Sequence, residues 1–289
     1  MSTSSSPASS SFPSLTYSDA LTLAARGHSL AAVDARLLLQ HVTGATIAQI
    51  VSYPGRQLGP VDRTRFESLV ERRAAGEPIA YLLGEREFYS RAFAVTPAVL
   101  IPRPETEGLV DAALSRLPTE GRPEVVDLGT GSGCVGITLA LEHPQARVLA
   151  IDASADAIGV AQRNAAALEC GNIDFVIGNW LQGIDGNRLA MIVGNPPYIS
   201  AADAHLGQGD LRFEPRLALT PGDDALAAVR EIIVQAPAAL AEGGWLILEH
   251  GHDQGPIVRK LLAKHGFNEV FSECDLAGHE RITGGRIHH

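Results

Sequence analysis

Asn195-Pro196-Pro197-Tyr198 follows directly on the apolar run Leu189–Gly194, and its residue types suit a clamp for a planar amino group. The Asn195 side-chain oxygen can accept one N–H of such a group. The Pro196 carbonyl, forced outward by the rigid Pro196-Pro197 backbone, can accept the other. Tyr198 offers a flat apolar face over the same plane, and Phe88 or Tyr89, far upstream, could close the opposite side. An amide nitrogen is a poor nucleophile because its lone pair is delocalised. A site that methylates one must therefore orient the NH2 and bring its lone pair in line with the methyl being transferred. Each hydrogen bond contributes roughly 0.5–1.5 kcal/mol net, whereas alignment in a near-attack geometry lowers a barrier by about 7–11 kcal/mol. Positioning outweighs acid–base chemistry here. No general base is obvious, and none is required, since nitrogen becomes strongly acidic once methylated. The same four residues could also be only a turn, and a methyl donor site upstream decides between the two.

Asp127-Leu-Gly-Thr-Gly-Ser-Gly133 supplies a candidate for that site. Gly129, Gly131 and Gly133, with Thr130 and Ser132 between them, permit positive φ and remove the Cβ atoms that would keep a cofactor from the backbone. The loop falls at the first strand-to-helix turn, where backbone N–H groups are presented to a ligand. Its spacing is G-x-G-x-G, with Cys134 where a dinucleotide fingerprint would place its third glycine. The next apolar segment, 147–151, ends in Asp152, a carboxylate able to accept hydrogen bonds from both ribose hydroxyls, or else to cap the helix that follows. Asp127 is placed to support the loop from inside the sheet. Trp180, behind Gly178-Asn179, could stack on an adenine ring or pack into the core. Taken together and in this order, these residues predict a nucleoside cofactor.

The elements that must carry these residues are legible in outline. Segment 1–14 is mostly Ser with Pro7 and Pro13 and is expected to be disordered. Residues 15–84 show apolar positions at helical spacing and predict a small helical domain; Arg63, Arg65, Arg72 and Arg73 alternate there with Glu67 and Glu71, as on a solvated helix face. Residues 85–105 read as a β-hairpin and a stiff connector punctuated by Pro97, Pro102 and Pro104. From 106 to 289, strands at 124–128, 147–151, 173–177, 190–193 and 245–249 alternate with helices from 133, at 155–168, at 225–240 and at 256–265. Two further strands are expected at 269–273 and 280–283. This alternation predicts an α/β fold with an open, mostly parallel sheet.

Composition excludes several classes. The 289 residues carry 23 basic and 33 acidic side chains, a formal charge of −10, which gives no general attraction to nucleic acid phosphates. Cys134, Cys170 and Cys274 are isolated thiols that fit neither a disulfide framework nor a zinc site. No apolar stretch approaches the roughly 18–20 residues of a membrane span, and no basic-then-apolar leader opens the chain. The expectation is a cytoplasmic protein without a metal. His250, His252, Asp253 and Glu249 could suggest a metal hydrolase, but a strand-to-loop turn explains them and no spaced third ligand pair supports them. Ser132 lies in no G-x-S-x-G elbow.

At this point the chain resembles the class I S-adenosylmethionine-dependent methyltransferases, and more closely the PrmC (HemK) family, which methylates the glutamine N5 of peptide chain release factors. The resemblance rests on Arg86-Glu-Phe-Tyr89, Leu100-Ile-Pro-Arg-Pro-Glu-Thr106, Asp127–Gly133, Asn195–Tyr198, Arg212-Phe-Glu-Pro215 and Leu248-Glu-His-Gly251, and it covers nearly the whole chain after the Ser-rich segment. It implies a Rossmann-like sheet with a C-terminal antiparallel strand. It implies that Gly129, Thr130, Gly131, Ser132, Gly133, Asp152, Trp180 and Asn195 bind S-adenosylmethionine, with S-adenosylhomocysteine as the product. Asn195, Pro196, Pro197, Tyr198 and Phe88 would grip the glutamine of a Gly-Gly-Gln loop, and the helical domain would hold the release factor. The enzyme would act as a monomer, without nucleic acid or membrane partners. The nearest rival is an adenine N6-methyltransferase acting on DNA or RNA, whose exocyclic amine suits the same tetrapeptide but calls for a flipped base and a basic cradle. A non-catalytic methyltransferase-like scaffold is the other, and the intact Asn195–Tyr198 argues against it.

Overall fold

The computed structural model describes residues 15–288. The Ser-rich segment 1–14, with its expected disorder, lies outside the described residues, as does His289. The chain divides into two compact units between Leu83 and Gly84.

The first unit is helical: α1 (Tyr17–Thr22), continued by a π-helical turn at Leu23–Gly27, then α2 (Ala32–Thr43), α3 (Ile47–Ser52), α4 (Pro60–Ala74) and α5 (Ile79–Leu83). Thr16 with Asp19 and Thr46 with Gln49 form capping boxes that start α1 and α3. Pro60 opens α4, where its missing N–H has no helical partner to lose. Leu38, Leu39, Phe66 and Val70 form the centre of this unit's core. Three arginines of α4 are paired within the unit, Arg63 with Glu67 at 2.8 Å, Arg72 with Glu77 and Arg73 with Asp34 of α2 at 2.7 Å.

The second unit begins with a hairpin of β1 (Glu85–Phe88) and β2 (Arg91–Ala94). After the connector come α6 (Glu107–Leu114), β3 (Glu124–Leu128), α7 (Cys134–Glu142), β4 (Arg147–Asp152), α8 (Ala155–Ala167), β5 (Ile173–Ile177) and β6 (Leu189–Gly194). The short α9 (Arg216–Leu219) leads to α10 (Ala227–Ala239), β7 (Leu240–Glu249), α11 (Gly255–Lys264), β8 (Phe267–Cys274) and β9 (Glu280–Ile287). The seven-stranded sheet has the order β5-β4-β3-β6-β7-β9-β8. Strands β3 to β7 are parallel, and β9 enters antiparallel between β7 and β8. Strand residues alternate between two cores, as the period of two requires. Val125, Met191, Val193 and Ile247 face one core with α6 and α7, while Val126, Leu128, Ile192, Leu246 and Leu248 face the other with α10 and α11.

The C-terminal strands run longer than their patterns predict. Strand β7 starts at Leu240, because Ala241–Gly244 forms an irregularity in which Leu189 pairs with Leu240 and Met191 already with Trp245. Strand β9 continues through Gly284-Gly285, past the expected end at 283. A Cβ on Gly284 would lie 2.6 Å from the Phe271 ring of β8, so the glycine permits a close approach within the sheet.

Candidate active site

Leu128 of β3 pairs with Gly194 of β6, and with Ile151 of β4 on its other side. The glycine loop, Asn195 and Asp152 therefore leave the sheet next to one another at its carboxyl edge. A cavity of about 590 Å³ opens there, with Gly129, Thr130, Gly131, Ser132, Asp152, Trp180, Asn195 and Pro197 in its walls. That volume is in the range of ligand sites, roughly 300–1,000 Å³.

The loop is held by side chains from two strands. Gly129, Gly131 and Gly133 all have positive φ, at 69°, 55° and 83°. Asp127, buried, accepts from the Thr130 hydroxyl at 2.6 Å and from the Gly136 N–H at 3.0 Å. Asp152 Oδ2 accepts from the Gly131 N–H and its Oδ1 from the Ser154 N–H, each at 2.9 Å. The capping side chain of α8 is Ser154, which accepts from the Ala157 N–H, so Asp152 is not the helix cap. Each Asp152 oxygen still has acceptor capacity for a ligand hydroxyl. Trp180, at φ 48° and half-buried, belongs to the cavity wall and also packs on the core that contains Leu128 and Ile151.

Asn195 is fixed on one side only. Its Nδ2 donates to the Thr106 hydroxyl oxygen at 3.3 Å, which leaves its Oδ1 as the acceptor for a ligand. Among the described residues no hydrogen bond is made to the Pro196 carbonyl. Gly133, Pro196 and Tyr198 are not in the cavity wall. Gly133 is the left-handed residue ahead of α7. The stacking face expected of Tyr198 is likewise absent from the wall, because its hydroxyl is drawn down to the buried Glu249, donating to Oε1 at 3.2 Å.

Phe88 is a correction. It is 1% exposed and packs edge-on against Phe93, with ring centroids 6.0 Å apart, in the core beside α6. Tyr89 also turns away, donating its hydroxyl to Asp111 at 2.8 Å, which with burial pushes its pKa up to about 12. Further wall comes from the Pro-rich connector, including Pro97, Leu100, Pro102 and Arg103, from Pro215, Leu217 and Thr220 after the tetrapeptide, and from the starts of α8 and α10.

Four buried polar residues support this arrangement. Glu214 joins the two outer wall segments, accepting from the Ile101 N–H at 3.1 Å and pairing with Arg103. Asn164 of α8 bridges the Ser132 carbonyl at 2.8 Å and both backbone groups of Ala94 in β2. Thr106 and Glu249 lie beneath Asn195 and Tyr198. Glu214 and Glu249 fall in sequence motifs, but nothing in the pattern shows what they hold; Asn164 reads as an ordinary helix residue. Burial raises the carboxyl pKa values at this edge: Asp127 to about 6, against the opposing effect of its Thr130 and Gly136 hydrogen bonds, and Asp152 above its ordinary value. Glu249 rises to about 7, from burial first, with the Thr106 and Tyr198 hydroxyls favouring its ionised form. Among the described residues no group of three or more His, Cys, Asp or Glu could hold a metal ion; His250 is buried with its ring nitrogens on the Gly251 carbonyl and the Thr283 hydroxyl.

Residues 20–84 match the PrmC N-terminal domain and residues 110–209 the methyltransferase small domain. A release factor glutamine methyltransferase of Neisseria gonorrhoeae is 50% identical over 256 residues, 88% of this chain and 93% of that protein. Among solved structures, the hMettl16 catalytic domain, in complex with an RNA hairpin, superposes with a TM-score of 0.54 at 15% identity over 81% of this chain and 86% of that one. A T. thermophilus 16S rRNA methyltransferase in complex with AdoMet and guanosine gives 0.52 at 19% identity over 70% of this chain and 49% of that one. At these identities the two structures share the fold. With half of the 256 aligned residues identical to a protein matched over nearly its whole length, and with the PrmC N-terminal domain ahead of the methyltransferase domain, the chain belongs to the release factor glutamine methyltransferase family.

Proposed function

We propose that this enzyme transfers a methyl group from S-adenosylmethionine to the side-chain amide N5 of the glutamine in the Gly-Gly-Gln loop of peptide chain release factors. The observation that carries the reading is the shared cavity: the glycine loop and Asn195 emerge from neighbouring strands and line the same space. The residues present suit the donor. Backbone at positive φ replaces side chains at Gly129 and Gly131, the Asp152 carboxylate keeps acceptor capacity for a ribose, and Trp180 offers a ring in the wall. When bound, S-adenosylmethionine supplies a methyl on a positively charged sulfur.

The protein's own part is to orient the acceptor. Asn195 Oδ1 and the Pro196 carbonyl take the two N–H groups of the glutamine amide and fix its plane, so the nitrogen lone pair stands normal to it and towards the donor side. Pro197 limits the tilt from the wall, and Tyr198, anchored through Glu249, keeps the segment from swinging out. The product amide loses its proton to solvent. On this reading the helical unit holds the release factor, and the chain works as a cytoplasmic monomer with no nucleic acid or membrane partner. Among the described residues no helix is long and apolar enough to cross a membrane.

The test is methyl transfer from labelled donor to purified release factor, to its Gln→Ala loop variant and to total RNA. Labelling of the intact factor alone is expected. Label in RNA, or equal label in the Gln→Ala variant, would overturn the reading.

A further inference from the structure

Thr106 is 3% exposed and stands between two groups of the clamp. Its oxygen accepts from Asn195 Nδ2 at 3.3 Å. Beside it is Glu249, 1% exposed, whose Oε1 accepts from the Tyr198 hydroxyl at 3.2 Å and whose Oε2 has no partner of good geometry among the described residues. A hydroxyl has one proton to give. When Glu249 is ionised, the Thr106 proton is drawn towards the carboxylate, and Thr106 shows Asn195 only lone pairs. Asn195 must then turn its NH2 to Thr106 and its oxygen to the cavity. When Glu249 is neutral, that pull weakens, and the Thr106 proton can turn to Asn195. The amide rotates and presents NH2 to an incoming NH2, two donors facing each other.

We propose that Glu249, acting through Thr106, sets which way round the Asn195 amide sits and so decides whether the clamp accepts N–H groups. Thr106 and Glu249 are positioning residues for the transfer. The inference rests on the reading of this cavity as a glutamine amide site.

Glu249 titrates near pH 7 because burial opposes its charge. Around it lie Thr106, Tyr198, Arg281 of β9 and Glu105 of the connector, with Arg103 acting on Tyr198. His250, next in the chain, is held below its ordinary value by burial, and Cys134 of α7, raised to about 12, feels both Glu249 and Asp127. Of these groups Asp127, at about 6, titrates in a nearby range. It braces the donor loop, so its titration is read in donor affinity, whereas that of Glu249 is read in the transfer step.

The experiment measures single-turnover methyl transfer to release factor and donor Kd from pH 5.5 to pH 8.5 for the wild-type chain, Thr106→Val, Thr106→Ser and Glu249→Gln. The wild-type transfer rate is expected to fall about tenfold per pH unit below about pH 7. Thr106→Val should lose at least about tenfold in rate at pH 8 with donor Kd within about threefold, and Thr106→Ser, which restores the hydroxyl, should recover it. Glu249→Gln should be slow and should lack the acid limb. A Thr106→Val rate near wild type, a Thr106→Ser rate as low as that of Thr106→Val, or an unchanged acid limb in Glu249→Gln would overturn the proposal. Should Thr106→Val fail to bind donor through misfolding, a wild-type transfer rate flat from pH 6 to pH 8 overturns it alone. Absence of wild-type transfer to release factor is a different result and strikes the assigned function instead.

Discussion

The Asn195 side chain has one hydrogen bond to the protein and one free acceptor, whereas Asp152 ties the Gly131 N–H of the glycine loop to the Ser154 N–H ahead of α8, and their variants should separate the two halves of the reaction. Asn195→Ala leaves the loop intact. It should bind donor within about threefold of wild type and turn over about 100-fold more slowly, since misalignment of reacting groups by about 1 Å costs that much. Donor titration beside steady-state turnover checks it, and near-normal turnover would remove Asn195 from the clamp. Asp152→Ala frees the Gly131 and Ser154 N–H groups and removes an acceptor for the ribose. Hydrogen bonds to a charged group contribute about 1.5–3 kcal/mol, so donor Kd should rise about tenfold or more; an unchanged Kd in calorimetry argues against the ribose role. Both residues were legible because motif chemistry needs them at strand ends. Phe88 was not, since it ends β1 directly before a two-residue turn, Tyr89-Ser90, with φ 50° and 59°. Which aromatic then faces the core is settled by packing against α6 and Phe93.

At the scale of elements, the glycine loop shows how a turn becomes a binding surface. Gly133 sits at φ 83°, and a Cβ there would lie 2.6 Å from Ile137 of α7 and 3.1 Å from Ala161 of α8. Gly133→Ala combines a left-handed alanine with two contacts in closely packed helices, and should destabilise the unit by about 1–3 kcal/mol. Thermal unfolding should show a lower Tm, accompanied by weaker donor binding; an unchanged Tm would mean that the loop relaxes freely. Strands β3 and β5 have the bounds their apolar runs predict, because each is a single run set off by turn residues. Strands β7 and β9 extend beyond theirs, through the Gly243-Gly244 and Gly284-Gly285 pairs. In isolation such pairs weaken a strand; within the sheet, neighbouring strands supply hydrogen bonds and need the space that an absent Cβ leaves.

Over the whole molecule, the buried carboxyls make folding depend on pH. Glu249 and Asp127 have folded pKa values of about 7 and about 6, above their ordinary 4.5 and 3.8. The folded state therefore holds protons that the unfolded state releases. Their contribution is fully present below about pH 4 and is lost as pH rises through 6 and 7, with Glu249 accounting for on the order of 3 kcal/mol. Glu249→Gln should flatten this fall, as measured by urea unfolding at pH 5 and pH 7.5; an equal loss in both proteins would show that Glu249 does not cause it. The amino-acid sequence by itself determined the alternating α/β order, the glycine turn with its acidic partner, and the tetrapeptide after β6, because periodicity, backbone freedom and hydrogen-bonding capacity are local properties. Only the tertiary structure decided that β3 and β6 lie side by side, that Phe88 is core, and that Thr106 and Glu249 meet under Asn195. Those are contacts between residues up to 143 positions apart, Thr106 and Glu249, and they arise from burial and pairing that no local pattern encodes.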